Sequence, residues 1–334
     1  MKHTLIGAVS VSAILATQSA SALDILLTND DSWDTANIKT LFTALQDAGH
    51  SVIMSAPCTG QSGKGGAVNF LKEVPVNTTE ADYGKYCIGQ TDEELPFEDY
   101  VEGTPVMALM YGLDIVAPAT WGKAPDLVIS GPNEGHNLGF LTNHSGTVGN
   151  ANFAIARGIP AVAVSASHRD TSAEHAQLVA DVVIDIVDQL EAKQKPGEPL
   201  LPQFTGLNVN TPEDITNHNG YRFTQVGWNP GEFTVKFVED MSTSSFSMEY
   251  VGQVLLDAGR VPNLETGIAV ASSVYGGQAG VVLTDDELTD DHHKRSEGVA
   301  IEGNYITISV INGSLQADKR RTALTQAKLN GLVR

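Results

Sequence analysis

The hydrophobic residues of the chain form two kinds of pattern, which alternate along the sequence. Short apolar runs end abruptly in polar residues, as in residues 24–31 (DILLTNDD), and this is typical of buried parallel strands. Between them, apolar residues recur every three or four positions, as at Ile38, Leu41 and Leu45, which predicts amphipathic helices. The predicted strands are 25–28, 52–56, 126–130, 161–165, 207–211, 233–237 and 305–310, and the predicted helices are 38–48, 105–113, 148–157, 178–190 and 316–332.

This alternation predicts an α/β fold with a Rossmann-like, mostly parallel sheet flanked by helices. A polar stretch with prolines at residues 193–202 is the best candidate for a boundary. It separates a Rossmann-like core, residues 23–192, from a C-terminal part, residues 193–334. We expect the C-terminal part to complete the same domain with a β-rich extension and a terminal helix.

The N-terminus has the pattern of a secretory signal peptide, residues 1–22. Lys2 and His3 are followed by an apolar run at residues 5–16, and residues 20–22 (ASA) supply a small-residue cleavage site. We therefore expect a protein exported to the periplasm or the extracellular space, without a membrane anchor. In such a compartment Cys58 and Cys87 could form a disulfide; two free thiols are the alternative.

Charge limits the partners of the chain. The 334 residues carry 20 Lys and Arg against 40 Asp and Glu, for a net charge of −20. An extended nucleic-acid surface is therefore not expected, because phosphate backbones are bound by clustered cations. A small phosphorylated substrate could still bind if a metal ion supplied positive charge locally.

Two adjacent carboxylates follow the first predicted strand. Asp30 and Asp31 would repel one another at the carboxyl end of a buried strand unless a cation lay between them. One interpretation is a hard divalent metal site. The other is a solvated turn in which one aspartate caps the next helix.

Further polar, glycine-containing loops follow other predicted strands. Residues 58–66 (CTGQSGKGG) could approach an anion or a metal, although they do not match a P-loop. Residues 131–139 contain Asn133 and Asn137, whose amides suit either a metal or a phosphate. Ser145 to Thr147 begin a predicted helix, where anion binding and simple capping are both possible. The acidic and histidine-rich stretch 285–293 favours a solvated loop over a second metal site.

Several separated motifs together resemble the SurE-type survival protein family. They are residues 25–31 (ILLTNDD), 61–63 (QSG), 102–105 (EGTP), 125–139 (PDLVISGPNEGHNLG), 145–148 (SGTV), 158–165 (GIPAVAVS) and 207–212 (LNVNTP). The resemblance covers about residues 24–212 and continues loosely to 305–310, and it is strongest to the exported members that are sometimes called secreted acid phosphatases. Ser32 departs from it, because the family usually has a glycine after the paired aspartates, and residues 33–35 (WDT) replace a small, proline-containing turn.

The resemblance implies a divalent-metal-dependent phosphomonoesterase that acts on nucleoside 5′- and 3′-monophosphates and sometimes on short polyphosphate. The metal would be Mg²⁺ or Mn²⁺, with Ca²⁺ as a possible non-native occupant. The implied metal ligands are Asp30, Asp31, Ser62 and Asn133, with Asp30 or Asp31 also acting as the catalytic proton acceptor. The implied phosphate- or substrate-binding residues are Asn29, Asn133, Asn137, Ser145, Gly146 and Thr147.

Two other functions are compatible with the sequence. A calcium-dependent nucleoside hydrolase also uses clustered aspartates, although normally more than the pair Asp30 and Asp31. An exported protein that binds nucleotides without hydrolysing them would need the same site without turnover. By analogy with the family we also expect a homodimer or homotetramer.

Overall fold

The computed structural model describes residues 22–91, 100–231, 233–285 and 295–332. The predicted signal peptide and most of the acidic and histidine-rich stretch lie outside these residues. Within the described ranges, no helix combines the length and the apolar character that crossing a membrane requires.

The described strands and helices alternate along the first half of the chain, as the sequence predicts. The strands are β1 Asp24–Thr28, β2 Ser51–Pro57, β3 Val76–Asn77, β4 Lys85–Ile88, β5 Leu127–Glu134, β6 Ala161–Ala166, β7 Thr205–Asn210, β8 Tyr221–Thr224, β9 Thr234–Val238, β10 Gly280–Thr284 and β11 Ile306–Asn312. The helices are α1 Ala36–Asp47, α2 Pro105–Tyr111, α3 Ala117–Trp121, α4 Gly146–Ala156, α5 Ala173–Lys193, α6 Ser245–Asp257, α7 Leu264–Tyr275, α8 Glu297–Glu302 and α9 Lys319–Leu329. A π-helical turn, Gly112–Val116, joins α2 to α3.

Nine of these strands form one mixed sheet in the order β3-β4-β2-β1-β5-β6-β7-β11-β8. The six strands from β4 to β7 run parallel to one another. At the two edges, β3 is antiparallel to β4, and β11 is antiparallel to β7 but parallel to β8. The chain order reverses at β1, which has β2 on one side and β5 on the other. In such sheets the carboxyl ends of the strands on either side of the reversal form a crevice that binds ligands. The predicted Rossmann-like fold is confirmed.

Helices cover both faces of the sheet and bury two apolar cores. On one face the predicted stripe Ile38, Leu41 and Leu45 of α1 is fully buried and packs with α5. On the other face α2 and α4 pack against the sheet and against each other, with Leu109 and Ile155 fully buried. Because apolar side chains fill both faces, the central strands are held rigidly and their carboxyl ends are fixed in position.

The structure corrects the predicted end of β5. The strand was expected to end at Ser130, but it continues to Glu134, and Asn133 and Glu134 pair with Ser165 and Ala166 of β6 after an irregularity in the register. Gly131 permits this course, because its φ is +118° and a side chain there would collide with the backbone of β6. Asn133 is therefore held by a strand and not by a loop.

The C-terminal part contributes β7, β8 and β11 to the main sheet and adds an extension, residues 233–285. The extension contains the antiparallel pair β9 and β10, and also α6 and α7, two helices that the sequence patterns did not predict. Gly252 of α6 and Gly267 of α7 lie against each other, and a side chain on either would collide with the other helix. The glycines allow the two helices to pack closely, although glycine lowers helical propensity.

Candidate functional site

The turn after β1 places Asp30 and Asp31 at the point where the chain order reverses. Asn29 is fully buried, and its side-chain oxygen accepts hydrogen bonds from the backbone N–H groups of Asp30 (2.7 Å) and Asp31 (3.3 Å). Ser32 follows with a φ of +103°, a conformation that glycine adopts without strain. Ser32 thus adopts a backbone conformation typical of glycine, and the side-chain hydrogen bonds of Asn29 hold the turn in place.

Asp30 lies against the start of α4. The Thr147 hydroxyl donates to a carboxylate oxygen of Asp30 at 2.6 Å, and the backbone N–H groups of Gly146 and Thr147 also bind this carboxylate. A side chain at Gly146 would lie 2.6–2.8 Å from atoms of Asp30, so only glycine allows this approach. Burial nevertheless raises the pKa of Asp30 to about 6, because desolvation outweighs these hydrogen bonds.

Asp31 points the other way, towards β5. One of its carboxylate oxygens accepts a hydrogen bond of 2.5 Å from the backbone N–H of Glu134. Burial raises the pKa of Asp31 to about 8, and the negative charges of Asp30 and Glu134 act in the same direction. The perturbing groups of both aspartates include no cationic side chain. A divalent cation would remove this electrostatic cost.

Asn133 and Glu134 enter the site from the end of β5. The side-chain amide nitrogen of Asn133 donates to the carbonyl of Gly135 at 2.7 Å, which leaves its oxygen as the atom suited to bind a cation. Burial raises the pKa of the Glu134 carboxyl, so a third carboxylate faces the pair. Sequence reasoning missed Glu134, although it directly follows the predicted ligand Asn133.

The glycine-rich loop lies next to the turn after β1. The backbone N–H of Gln61 donates to the carbonyl of Asp30 at 2.7 Å, and the adjacent Ser62 is exposed. Cys58 and Cys87 form a disulfide, which ties the loop to β4. Gln61 is buried, and its side-chain oxygen is a buried polar atom without a hydrogen-bond partner. The loop backbone is therefore held against Asp30, with Ser62 at the next position and its side chain exposed.

The remaining predicted site residues connect the start of α4 to the sheet. The Ser145 hydroxyl accepts from the backbone N–H of Val148 at 3.0 Å and so caps α4. The buried amide of Asn137 donates to the Ser165 hydroxyl at 2.8 Å and to the Thr147 hydroxyl at 3.3 Å. Asn137 thus contacts other protein groups and positions Thr147.

The extension contributes one residue that the sequence did not reveal. Tyr250, on α6, is half exposed and lies close enough to Asp31 and Glu134 for their charges to raise the pKa of its hydroxyl, in addition to the larger effect of burial. No local pattern around Tyr250 identifies this position, because it depends on how α6 packs against the core.

The oxygen atoms of the predicted metal ligands are of the kind that a hard divalent cation binds. Two carboxylates, the oxygen of Asn133 and the hydroxyl of Ser62 are all oxygen ligands, which Mg²⁺, Mn²⁺ and Ca²⁺ prefer. Among the described residues, no group of three or more His, Cys, Asp or Glu side chains is placed to hold a metal ion. A cation here would therefore need amide and hydroxyl oxygens in addition to the acid pair, and the observation that favours a cation is that no cationic side chain is among the groups that perturb the pair.

Comparisons with known proteins agree with this architecture. Residues 25–232 match the family model described as Survival protein SurE. An acid phosphatase of Yarrowia lipolytica is 37% identical over 210 residues, which are 58% of this chain and 57% of that protein. A 5′-nucleotidase SurE of Stenotrophomonas maltophilia is 34% identical over 207 residues, 61% of this chain and 69% of that protein. The crystal structure of a SurE protein from Aquifex aeolicus superposes with a TM-score of 0.63 at 23% identity, covering 91% of this chain and 99% of that one, which shows a shared fold.

Proposed function

Because the chain belongs to the survival protein SurE family, we propose that it is a divalent-metal-dependent phosphomonoesterase that hydrolyses nucleoside 5′- and 3′-monophosphates. Other phosphomonoesters and short polyphosphate are further candidate substrates. The Yarrowia relative is named an acid phosphatase and the Stenotrophomonas relative a 5′-nucleotidase, and both names support this reaction class.

One observation carries the proposal: a buried pair of carboxylates lies at the start of a helix, with no cationic side chain among the groups that perturb it. The N-terminus of a helix attracts anions. Here Asp30 already occupies the N–H groups of Gly146 and Thr147. A phosphate group that binds at the same place would add a third negative charge, so substrate binding requires a cation.

In this proposal Asp30, Asp31, Asn133 and Ser62 hold Mg²⁺ or Mn²⁺. The bound ion would supply positive charge beside the phosphate and make a nearby water more acidic. Asp30 and Asp31 are the candidate proton acceptors for the attacking water. Burial raises the pKa of both carboxyls, and a bound cation would lower these pKa values and keep the carboxylates ionised, as a proton acceptor must be.

The chain's own residues would orient the phosphate. The Ser145 hydroxyl accepts from the N–H of Val148 and keeps its own hydrogen for a phosphate oxygen. The N–H of Gly146 and the hydroxyl of Thr147 donate to Asp30, so they would turn to a phosphate only if a bound cation drew the Asp30 carboxylate away. Asn137 positions Thr147 through its side-chain amide. Asn29 fixes the turn that carries the acid pair, and Asn133 approaches from β5. This arrangement aligns the phosphate for in-line attack without covalent chemistry by the protein.

Phosphate release tests the proposal directly. The substrates are a panel of 5′- and 3′-nucleotides, p-nitrophenyl phosphate and tripolyphosphate, each assayed with EDTA and then with Mg²⁺, Mn²⁺ or Ca²⁺ restored. We expect metal-restored release from nucleotides, and a loss of at least 100-fold in Asp31→Asn. Asp34→Asn is the matched control, because Asp34 lies in the same turn region with its side chain 74% exposed.

Two other outcomes would redirect the assignment. Nucleotide binding without phosphate release, by folded protein and with every metal, would favour a nucleotide-binding protein. Release of free base in place of phosphate would favour a nucleoside hydrolase. Wild-type turnover in folded Asp31→Asn would contradict the metal assignment.

Export and self-association form a further part of the proposal. The Cys58–Cys87 disulfide supports an oxidising compartment, as the signal-peptide pattern predicts. The terminal helix α9 has no buried residue, and Leu324 and Leu329 on it are exposed, which supports contact with another copy of the chain in a dimer or tetramer. Size-exclusion chromatography with light scattering, and N-terminal sequencing of secreted protein, test these two expectations.

A further inference from the structure

A cavity of about 880 Å³ lies at the carboxyl ends of β6 and β7. Because β1, β5, β6 and β7 are parallel neighbours, this is the same edge of the sheet as the acid pair. The lining of the cavity includes His136 and Leu138, which belong to the same post-β5 segment that brings Asn133 and Glu134 to the site. His168 lines it from the end of β6, and Phe233 closes it from the extension. The volume is typical of a site for a molecule of nucleotide size.

The extension gives this cavity an aromatic wall. The ring of Phe233 meets the imidazole of His168 edge-on, with centroids 6.2 Å apart, and packs on Phe246 of α6 at 5.8 Å. Phe246 and Tyr250 are four residues apart on α6 and therefore share one helix face, about 6 Å apart along the axis. The backbone connects the acid pair to the cavity: the N–H of Glu134 donates to Asp31, and the N–H of Gly135 donates to the carbonyl of Ala166 at 3.0 Å. The next residues along each segment, His136 and Ser167, line the cavity.

The charge around the cavity indicates what it can accept. Among the described lining residues, Arg169 is the one permanent cation, and it forms an ion pair with Glu213 at 3.6 Å. The carboxylates of the lining are those of Asp170, Glu174, Glu213, Asp214 and Glu302. A second phosphate group would be repelled here, whereas a neutral aromatic group would contact the rings without electrostatic cost.

We propose that this cavity receives the base of a nucleoside monophosphate whose phosphate lies at Asp30 and Asp31, and that Phe233 and His168 form the aromatic wall that holds the base. The inference rests on the proposed phosphomonoesterase function. It adds that Phe233 and His168 select the nucleoside, which is the leaving group of the reaction. Phe233 thereby determines specificity and does not take part in the chemistry.

The test compares 5′-AMP with ribose 5-phosphate, which has the same phosphoester but no base. Wild-type kcat/KM should be higher for AMP by roughly 5- to 100-fold, the range expected for stacking of one base on an aromatic side chain. Phe233→Ala should bring the ratio of the two kcat/KM values close to one. Phe237→Ala is the matched control, because Phe237 lies four residues further along, on β9, is 69% exposed and should keep the wild-type ratio.

The ratio separates a role in specificity from a structural one. If Phe233 only stabilised the extension, its removal would lower both kcat/KM values in proportion and leave the ratio unchanged, and this result would overturn the proposal. A wild-type ratio near one would do the same. If Phe233→Ala does not fold, as judged by its thermal transition, His168→Ala should show the same fall in ratio.

If the protein is not a phosphomonoesterase, the base site can still be tested by binding. If neither ester is hydrolysed, titration calorimetry of wild-type protein with AMP and with ribose 5-phosphate, each in the presence of Mg²⁺, decides the matter. Tighter binding of AMP, lost in Phe233→Ala, supports the cavity as the base site. Equal affinities for the two esters would refute it.

Discussion

The acid pair should make the stability of the metal-free protein depend on pH in an unusual direction. Burial raises the pKa of Asp30 from 3.8 to about 6 and that of Asp31 to about 8. In the unfolded chain both carboxyls ionise near pH 4. The folded state therefore binds more protons than the unfolded state between about pH 4 and pH 8, and the free energy of unfolding falls as the pH rises through this window.

The size of the effect follows from the shift of Asp30 alone. A rise from 3.8 to about 6 corresponds to about 3 kcal/mol at 1.36 kcal/mol per pH unit. The shift of Asp31 has the same sign, and it is not added because the two charges perturb each other. For a chain of this size, about 3 kcal/mol corresponds to a fall in melting temperature of roughly 4–5 °C.

Thermal unfolding with EDTA at pH 4 and pH 8 measures most of this fall, because only a small part of it has occurred at pH 4. A divalent cation bound to the ionised pair should restore the loss at pH 8, with a stabilisation that rises with the metal concentration. Asp31→Asn keeps an acceptor for the N–H of Glu134 but removes one charge, so we expect it to be less sensitive to both pH and metal. Asp34→Asn should behave like wild type. Equal pH dependence in wild type and Asp31→Asn would refute the reasoning.

Three further predictions concern other parts of the molecule. Replacing Cys58 and Cys87 by serine opens a loop with a sequence separation of 29, so denaturant titration should show a loss of about 3–4 kcal/mol; an unchanged midpoint would contradict this. Glu297 is fully buried and accepts from the Asn208 amide at 2.9 Å, so Glu297→Ala should lose about 1–3 kcal/mol, whereas Glu297→Gln should lose less. Ser145→Ala removes the cap of α4, so it should lower the free energy of unfolding by about 0.5–2 kcal/mol. It should also raise KM for nucleotides. A loss of stability with an unchanged KM would exclude Ser145 from phosphate binding.

The central sheet could be predicted because its strands are buried on both faces. Ile25, Leu26 and Leu27 are all fully buried, so the apolar run in the sequence marks the strand directly. The cap at Ser145 could be predicted for the same kind of reason, since a serine directly before a helical segment satisfies a local N–H group. In both cases the physical cause lies within a few residues of the pattern.

The end of β5 could not be predicted in this way. Asn133 and Glu134 are polar and follow Gly131 and Pro132, which locally favours a loop. They belong to the strand because β6 continues to pair with them beyond the irregularity in the register. Pairing with a distant strand thus outweighs the local pattern, and it also places the N–H of Glu134, the residue after Asn133, against Asp31.

The distribution of these residues along the chain separates the chemistry from the choice of substrate. The acid pair, Asn133 and the start of α4 all lie within residues 25–232, the part that matches the family model. Phe233, Phe246 and Tyr250 lie beyond it, on an extension whose Phe233 meets the ring of His168 just after β6. If the cavity selects the base, changes in the extension can alter the preferred leaving group while the phosphate site stays the same. The ratio of AMP to ribose 5-phosphate hydrolysis should therefore respond to substitutions in the extension, whereas substitutions at the acid pair should lower both rates together.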